Sequence, residues 1–455
     1  MHDLITQKTI VIFGGTGDLA QKKLIPSIMK MRIEEDLFPQ LKIVCISRRQ
    51  LTENDFTQYV RRIYNSFCET YSYYIDEQWF LRFMGSIYYY AMDVTQESDF
   101  KGLKEYLNRL DEMRNSSFNE RIFFLSLLPS LFSISIRNLA ASTILADSGV
   151  RKIVVEKPFG TNLQTALEIE TELVKHFREK EIFRLDHVLE KKFYKDLYHI
   201  RSVCPRFDCY WNSSFINKIE IEWNESIGIE GRGQYYESVG ALRDMVQNHI
   251  LQTLSLVCME LPATGELFML RNERARLIGN LTKFEQEEEL GRKVIRGQYI
   301  GYREEDNVNP NSVIETFVRL ELTIRSLRWK GTDVVLKTGK RMEEKRTRIE
   351  ISFKSPQTVK TLRDLLSEFT NSYDSIIFDV MRAKIIVTDM HNNSVDSKRN
   401  SISYDKLFQR IISGDQSSFV SWEEIQASWQ FIDHIRRLWE QNTTGICCYQ
   451  LGSIN

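Results

Sequence analysis

Long apolar runs are missing from this sequence. The most apolar stretches, Ile122–Ile136 and Ile250–Met259, are broken by Ser, Pro or Thr and fall short of the roughly 20 residues that cross a bilayer as a helix. The first apolar run, Ile10–Phe13, stops at Gly14–Gly15, so no secretory leader is expected. An excess of one charge sign is also missing. Lys and Arg number 61 against 62 Asp and Glu, a net charge of -1. Such a chain has no overall field to hold nucleic acid or an anionic membrane. Neither partner is expected, and any anion it binds has to be met by a local cluster. Only 8 Pro and 21 Gly occur in 455 residues, which excludes a linker-rich or low-complexity protein. The 7 Cys are odd in number and form no CxxC. A disulfide framework, a structural zinc site and any other metal are therefore not expected, and a reducing cytoplasm fits best.

What is present has the balance of a globular protein, with 42% apolar and 27% charged residues. The first 180 residues alternate. Strand-like runs at Thr9–Phe13, Lys42–Ser47, Arg121–Leu127 and Lys152–Glu156 are separated by helical patterns at Lys22–Ile33, Glu53–Phe67, Phe100–Asn115 and Phe132–Ala146. Apolar strands interleaved with helices predict a parallel sheet covered on both faces. Beyond about residue 184 the period changes. Lys218–Glu225 and Val318–Ile324 alternate, and Arg348–Phe353, Ile376–Val380 and Lys384–Thr388 are short β-rich runs. Alternation predicts an antiparallel sheet with one wetter face. One long helix is expected over Glu237–Glu260, no clear element over 262–312, and loop after Gln441. The expected fold is an α/β Rossmann-like dinucleotide-binding domain over 1–183, followed by an α+β domain with a large, mainly antiparallel sheet over 184–455.

The run Ile10–Phe13 leads into Gly14-Gly15-Thr16-Gly17-Asp18-Leu19-Ala20 and then a helical pattern. In a strand–glycine turn–helix unit, backbone N–H groups and the helix dipole meet a pyrophosphate. The spacing here is GxxGxxA instead of GxGxxG. Gly14, Thr16, Gly17, Asp18 and Leu19 are the candidate cofactor contacts. An NAD site usually carries an acid at the end of the second strand; here that strand ends Ser47-Arg48-Arg49. A guanidinium at Arg48 suits a 2′-phosphate, so NADP is expected, with NAD left open.

A base that titrates near neutral pH is needed to oxidise an alcohol, and histidine is the commonest choice. His249 shares a helical face with Leu242 and Val246, which by itself reads as a core-edge histidine more often than as a base. His187 follows Asp186 in Arg184-Leu185-Asp186-His187-Val188-Leu189-Glu190-Lys191-Lys192. If a helix starts at Val188, His187 and Lys191 stand one turn apart and can share an anion. A helix cap followed by solvated lysines fits the same residues. Asp186 is the carboxylate placed to orient an imidazole.

Taken together, these segments resemble the glucose-6-phosphate dehydrogenase family, particularly its bacterial form, nearly end to end. GGTGDLAQKKLIPS resembles the family's cofactor turn, and EKPFGTN at Glu156–Asn162 resembles its lysine loop. RLDHVLEKK is similar to the signature RIDHYLGKE. Glu230–Gln252 matches the segment with the catalytic histidine, Arg328–Lys354 a later substrate loop, and Ile412–Asp433 the C-terminal helix region.

The resemblance implies oxidation of D-glucose 6-phosphate at C1 to 6-phosphoglucono-δ-lactone with hydride transfer to NADP, the first step of the oxidative pentose phosphate pathway. His249 would be the base and Asp186 its orienting carboxylate. His187, Lys191 and Lys345 would bind the phosphate. Lys157 and Lys340 would contact substrate, with Lys157 also at the cofactor, and Glu225 and Asp244 would hold sugar hydroxyls. The family's large sheet implies a homodimer. Pro158 after Lys157 is an X–Pro bond, the kind able to be cis.

The sequence also departs from the family. Val188 stands where Tyr is usual and removes a phosphate donor. Glu190 brings negative charge to that segment, which Lys192 is expected to offset. Leu128 replaces a proline, and Cys204 replaces an asparagine. Glu350 stands where a basic residue of a second, structural NADP site would be, so no such site is expected. The departures leave two alternatives: a non-catalytic paralogue that binds nucleotide or sugar phosphate, and another EKP-type sugar oxidoreductase.

Overall fold

Strand β1 (Gln7–Phe13) lies inside a six-stranded sheet ordered β3-β2-β1-β4-β5-β6, with every neighbouring pair parallel. The other strands are β2 (Leu41–Ser47), β3 (Ile87–Ala91), β4 (Asn119–Leu125), β5 (Val150–Glu156) and β6 (Ile182–Leu185). Ile10, Val11, Ile12 and Phe13 are all fully buried, as expected of a strand covered on both faces. The order is that of a doubly wound dinucleotide-binding sheet, with its switch point between β1 and β4.

The computed structural model describes residues 7–34, 41–73, 76–112, 119–146, 149–262, 267–284, 291–367, 376–388, 404–441 and 446–450. It divides into two compact units. The first comprises 1–160, 164–187 and 398–420; the second comprises 161–163, 188–397 and 421–455. The helix Tyr404–Ser413 thus returns late in the chain, and its Tyr404, Leu407, Phe408 and Ile411 join the core beneath β1, β2 and β4.

The expected strands of the first unit are present and begin one or two residues early, and β4 ends at Leu125, two residues before the expected Leu127. Elements that were not expected include the helix Glu77–Met84, β3, the helix Leu163–His176 and the late helix Tyr404–Ser413. The run Ile87-Tyr88-Tyr89-Tyr90-Ala91 shows no alternation because it is an edge strand whose tyrosines are half-buried. The fourth helix covers Glu97–Glu112; its expected extension through 113–115 lies outside the described residues. The fifth stops at Ala141, followed by turns.

In the second unit an eight-stranded sheet is ordered β12-β13-β11-β7-β10-β9-β8-β14. Its strands are β7 (Ile216–Asn224), β8 (Val294–Tyr299), β9 (Phe317–Leu322), β10 (Asp333–Gly339), β11 (Arg346–Phe353), β12 (Ile376–Asp379), β13 (Lys384–Thr388) and β14 (Cys447–Tyr449). Pairs β7–β10 and β8–β14 are parallel and the rest antiparallel. Alternation is clearest in β11, where every second residue is buried.

Four expectations for this unit are corrected. Residues 446–450 are not simply loop, because Cys447–Tyr449 pairs with β8, anchored by the buried Tyr449; 442–445 and 451–455 lie outside the described residues. The stretch 262–312 contains the helix Leu267–Gly279 and β8. No helix starts at Val188: His187–Glu190 is a 3₁₀ turn, and the α-helix begins at Lys192, so helical spacing does not relate His187 to Lys191. The single helix over Glu237–Glu260 is three pieces. Gly233–Ala241 breaks at Gly240 (φ 63°, ψ 175°), Leu242–Ile250 is π-helical, and Leu251–Cys258 is α-helical. A positive φ at that ψ is open essentially to glycine alone, and π-helical winding is often found at functional sites.

Candidate active site

At the end of β1 the chain turns through Gly14 with φ 83°. A β-carbon at Gly14 would lie 2.0 Å from the Ser126 carbonyl oxygen, so the turn depends on glycine there. The Gly14 and Gly15 N–H groups bond the Ile46 carbonyl, and Gly17 N–H bonds the Gly14 carbonyl. The Tyr59 hydroxyl donates to the Gly15 carbonyl at 3.1 Å. Helix begins at Asp18, and first-turn N–H groups have no acceptor within their own helix. The Asp18 carboxylate pairs with Lys22 at 2.8 Å in solvent, while Leu19 packs on the core. Arg48 is exposed directly after β2. A closed glycine turn, a helix N-terminus and an arginine at neighbouring strand ends fit a pyrophosphate and a 2′-phosphate.

Further along the same sheet edge, β5 and β6 end in chemistry-bearing residues. The register pairs Glu156 with Leu185, so Lys157 and Asp186 follow at adjacent strand ends. Lys157–Pro158 is cis. Asp186 is almost wholly buried and His187 half-buried. Glu156 was not singled out in the sequence. Its Oε2 is shut from solvent without a hydrogen-bond partner, and its carboxyl is hydrogen-bonded with Tyr404. Burial pushes this carboxyl up to about 8; the Asp186 carboxylate adds to the shift, while Lys157 and the Tyr404 hydrogen bond oppose it. The signal in the sequence was the position: an acid at the last residue of a covered parallel strand.

The second unit gathers an imidazole and a cation on one aromatic ring. His249, on the π-helical segment, is 4% exposed. Its ring stacks on Trp223 of β7 with centroids 5.4 Å apart and planes at 23°. The Lys191 Nζ lies 4.5 Å from the Trp223 ring centroid. The Thr253 hydroxyl donates to the His249 carbonyl at 2.6 Å and is itself hydrogen-bonded to the Tyr194 hydroxyl. The alternation of Lys218–Glu225 puts Trp223 on one face with Ile219 and Ile221 and gives it no role.

Glu225 and Lys340 form an ion pair, and strand register explains it. Asn224 of β7 pairs with Gly339 of parallel β10, so the next residue on each strand is Glu225 and Lys340. The Lys340 ammonium also lies 5.2 Å from the Tyr236 ring centroid. Asp244 accepts from the Tyr235 hydroxyl at 3.2 Å, and Lys345 is exposed in the turn before β11. Val188 is fully buried and offers no polar group. The expected offset of Glu190 by Lys192 is corrected: Glu190 pairs with Lys195, and Lys192 with Asp196 at 2.8 Å. A cavity of about 680 Å³ lies elsewhere in this unit, lined by Tyr198, Arg201, Asp208 and Arg328 among others. Asp208 already engages both arginines, and no candidate site residue lines the cavity.

Two family models match the chain: glucose-6-phosphate dehydrogenase, NAD binding domain, over residues 11–195, and glucose-6-phosphate dehydrogenase, C-terminal domain, over 199–455. The chain is 33% identical to glucose-6-phosphate 1-dehydrogenase of Bacillus subtilis over 98% of its own length and 94% of the relative's. It is 30% identical to that of Leuconostoc mesenteroides over 98% of the chain and 95% of the relative. Among solved structures, a glucose-6-phosphate dehydrogenase in complex with its substrate glucose-6-phosphate shares the fold. The TM-score is 0.84 at 24% identity, covering 100% of this chain and 96% of that one. The crystal structure of glucose-6-phosphate 1-dehydrogenase from Mycobacterium avium matches with TM-score 0.77 at 25% identity, over 98% and 94% of the two chains.

Proposed function

Because the chain belongs to the glucose-6-phosphate dehydrogenase family, we propose that His249 is its catalytic base and Asp186 the carboxylate that orients that base. The activity is that of an oxidoreductase converting D-glucose 6-phosphate to 6-phosphoglucono-δ-lactone, with NADP as cofactor. When bound, NADP supplies the acceptor for the two electrons that leave C1.

The chain's own residues do the rest. The His249 imidazole takes the proton from the C1 hydroxyl, leaving the oxygen's electron pair to form the carbonyl as hydride departs from the carbon. Asp186 stabilises the imidazolium. Gly14, Thr16, Gly17, Asp18 and Leu19 hold the pyrophosphate, mainly through backbone, and Arg48 takes the 2′-phosphate. His187, Lys191 and Lys345 grip the sugar phosphate, which lies away from C1, so its binding energy can hold the reacting carbon in register. Glu225 and Asp244 accept from sugar hydroxyls. Lys340, fixed by Glu225, and Lys157 complete the contacts, with Lys157 also at the cofactor. The first unit, which takes in most of 1–183 and also 398–420, serves as the cofactor domain, and the second, most of 184–455, as the substrate and dimerisation domain. The protein works as a homodimer in the cytoplasm. Among the described residues no helix is long and apolar enough to cross a membrane.

The observation carrying this reading is the buried His249 ring against Trp223, with the Lys191 ammonium over the same indole. A base and an anion-binding cation stand together, as oxidation of a phosphorylated sugar requires. The test is NADP reduction with glucose 6-phosphate and with free glucose. A hydrogen bond to a charged group contributes about 1.5–3 kcal/mol. Lys191→Ala and Lys345→Ala should each raise KM for the phosphate ester about ten- to a hundredfold and leave any turnover of glucose unchanged. Equal activity on both sugars, unaffected by these substitutions, would contradict the reading.

A further inference from the structure

Trp223 has no role in the reaction as written above. It follows Ile219 and Ile221 on the same face of β7, and those two are fully buried while Trp223 is half-buried. A large aromatic at the end of a core-facing row is expected to complete the core. Its indole instead meets two groups able to carry positive charge. The His249 ring stacks on it, centroids 5.4 Å apart and planes 23° from parallel, and the Lys191 ammonium lies 4.5 Å from the ring centre.

We propose that Trp223 is a positioning residue of the reaction: its ring holds the His249 imidazole in place and interacts more strongly with the imidazolium formed by proton transfer than with the neutral base. The proposal rests on the role given above to His249. An aromatic face attracts cations more than neutral rings. Contact with Trp223 is therefore stronger once His249 has taken the proton than before, which is a contribution to rate and not only to binding.

Other charged or titratable groups lie on the elements packed against the His249 segment. They include Tyr235 and Asp244 at its head, Glu315, which accepts the Leu242 N–H, the Glu225–Lys340 pair beyond β7 and β10, and Asp433 and Arg436, which with Glu315 act on Arg243. All stay in place when Trp223 alone is changed.

The experiment compares wild type, Trp223→Phe, Trp223→Leu and His249→Asn as full-length enzyme with NADP and glucose 6-phosphate, recording kcat and kcat/KM across pH. Far-ultraviolet circular dichroism and NADP binding serve as checks of folding. Loss of the indole removes a preference for the imidazolium. The acidic limb of kcat/KM should therefore move to lower pH in Trp223→Leu, with kcat falling about 3- to 30-fold. Trp223→Phe keeps an aromatic face and should show a smaller shift in the same direction. If Trp223→Leu does not fold, the Phe variant carries the same test. Difference fluorescence between wild type and Trp223→Leu should titrate with pH and lose that titration when His249→Asn is introduced into both. An unmoved acidic limb in every folded Trp223 variant overturns the proposal while leaving the base assignment intact. Full turnover by His249→Asn overturns the base assignment itself.

Discussion

Gly240 and Glu315 fit against each other at the break in the helix that carries His249. A β-carbon at Gly240 would lie 2.4 Å from Glu315 Oε1, and the same oxygen accepts the Leu242 N–H at 2.9 Å. The Glu315 carbonyl accepts the Ala241 N–H, also at 2.9 Å. A residue beside β9 thus fixes where the π-helical segment begins, and with it the direction of Asp244 and His249. Gly240→Ala should lower stability by about 1–3 kcal/mol from backbone strain alone, and more from the clash, with kcat falling alongside. Glu315→Ala should cost about 1–3 kcal/mol by leaving the buried Leu242 N–H unsatisfied. Glu315→Gln, which keeps an acceptor oxygen, should stay near wild type. Urea unfolding with parallel kinetics checks all three. Equal losses for Ala and Gln at position 315 would contradict the capping role.

The Glu225–Lys340 pair is expected to act as a unit. Lys340 is nearly buried, whereas Glu225 is partly open to solvent. Removing one member of a buried pair costs about 3–5 kcal/mol; the exposure of Glu225 reduces this here to about 1–3 kcal/mol. In a double-mutant cycle with Glu225→Gln and Lys340→Met, the two losses should be non-additive by about 1 kcal/mol or more. Additive stabilities would show that the pair contributes nothing jointly.

Glu156 predicts a pH signature in stability. Burial raises its carboxyl from the ordinary value of 4.5 to about 8 in the folded protein. Between those values the folded state holds a proton that the unfolded state has released, so this group's contribution falls as pH rises through the window. Above about 8 the loss is complete. Glu156→Gln removes the effect. Its melting temperature should match wild type near pH 4.5 and exceed it increasingly up to about pH 8. A constant difference across that window in thermal unfolding would contradict the account.

Most of the doubly wound sheet was legible in sequence, because strands covered on both faces read as unbroken apolar runs such as Ile10–Phe13. The edge strand β3, all tyrosine at its centre, carries no such pattern. In the second unit, alternation revealed β7 and β9, and β-rich composition revealed β11, β12 and β13. The helical break at Gly240 was hidden, since it depends on Glu315, which lies 75 positions away in sequence. The same limit applies at the site. His249, Asp186 and the lysines are proposed from residue type and motif. The Trp223–His249–Lys191 cluster and the tyrosine contact of Glu156 arise from packing between distant elements, which local spacing does not encode. The 3₁₀ turn His187–Glu190 was misread as a helix start because Val188-Leu189-Glu190-Lys191 has ordinary helical composition.

The assignment of His249 as base is tested most directly by single-turnover reduction of NADP with saturating glucose 6-phosphate, followed by the absorbance of the reduced nicotinamide. A positioned general base contributes about a hundred- to ten-thousandfold. His249→Asn should therefore lose about that much in the chemical step while binding NADP as wild type does. A variant that folds, binds NADP and reduces it at the wild-type rate would contradict the account.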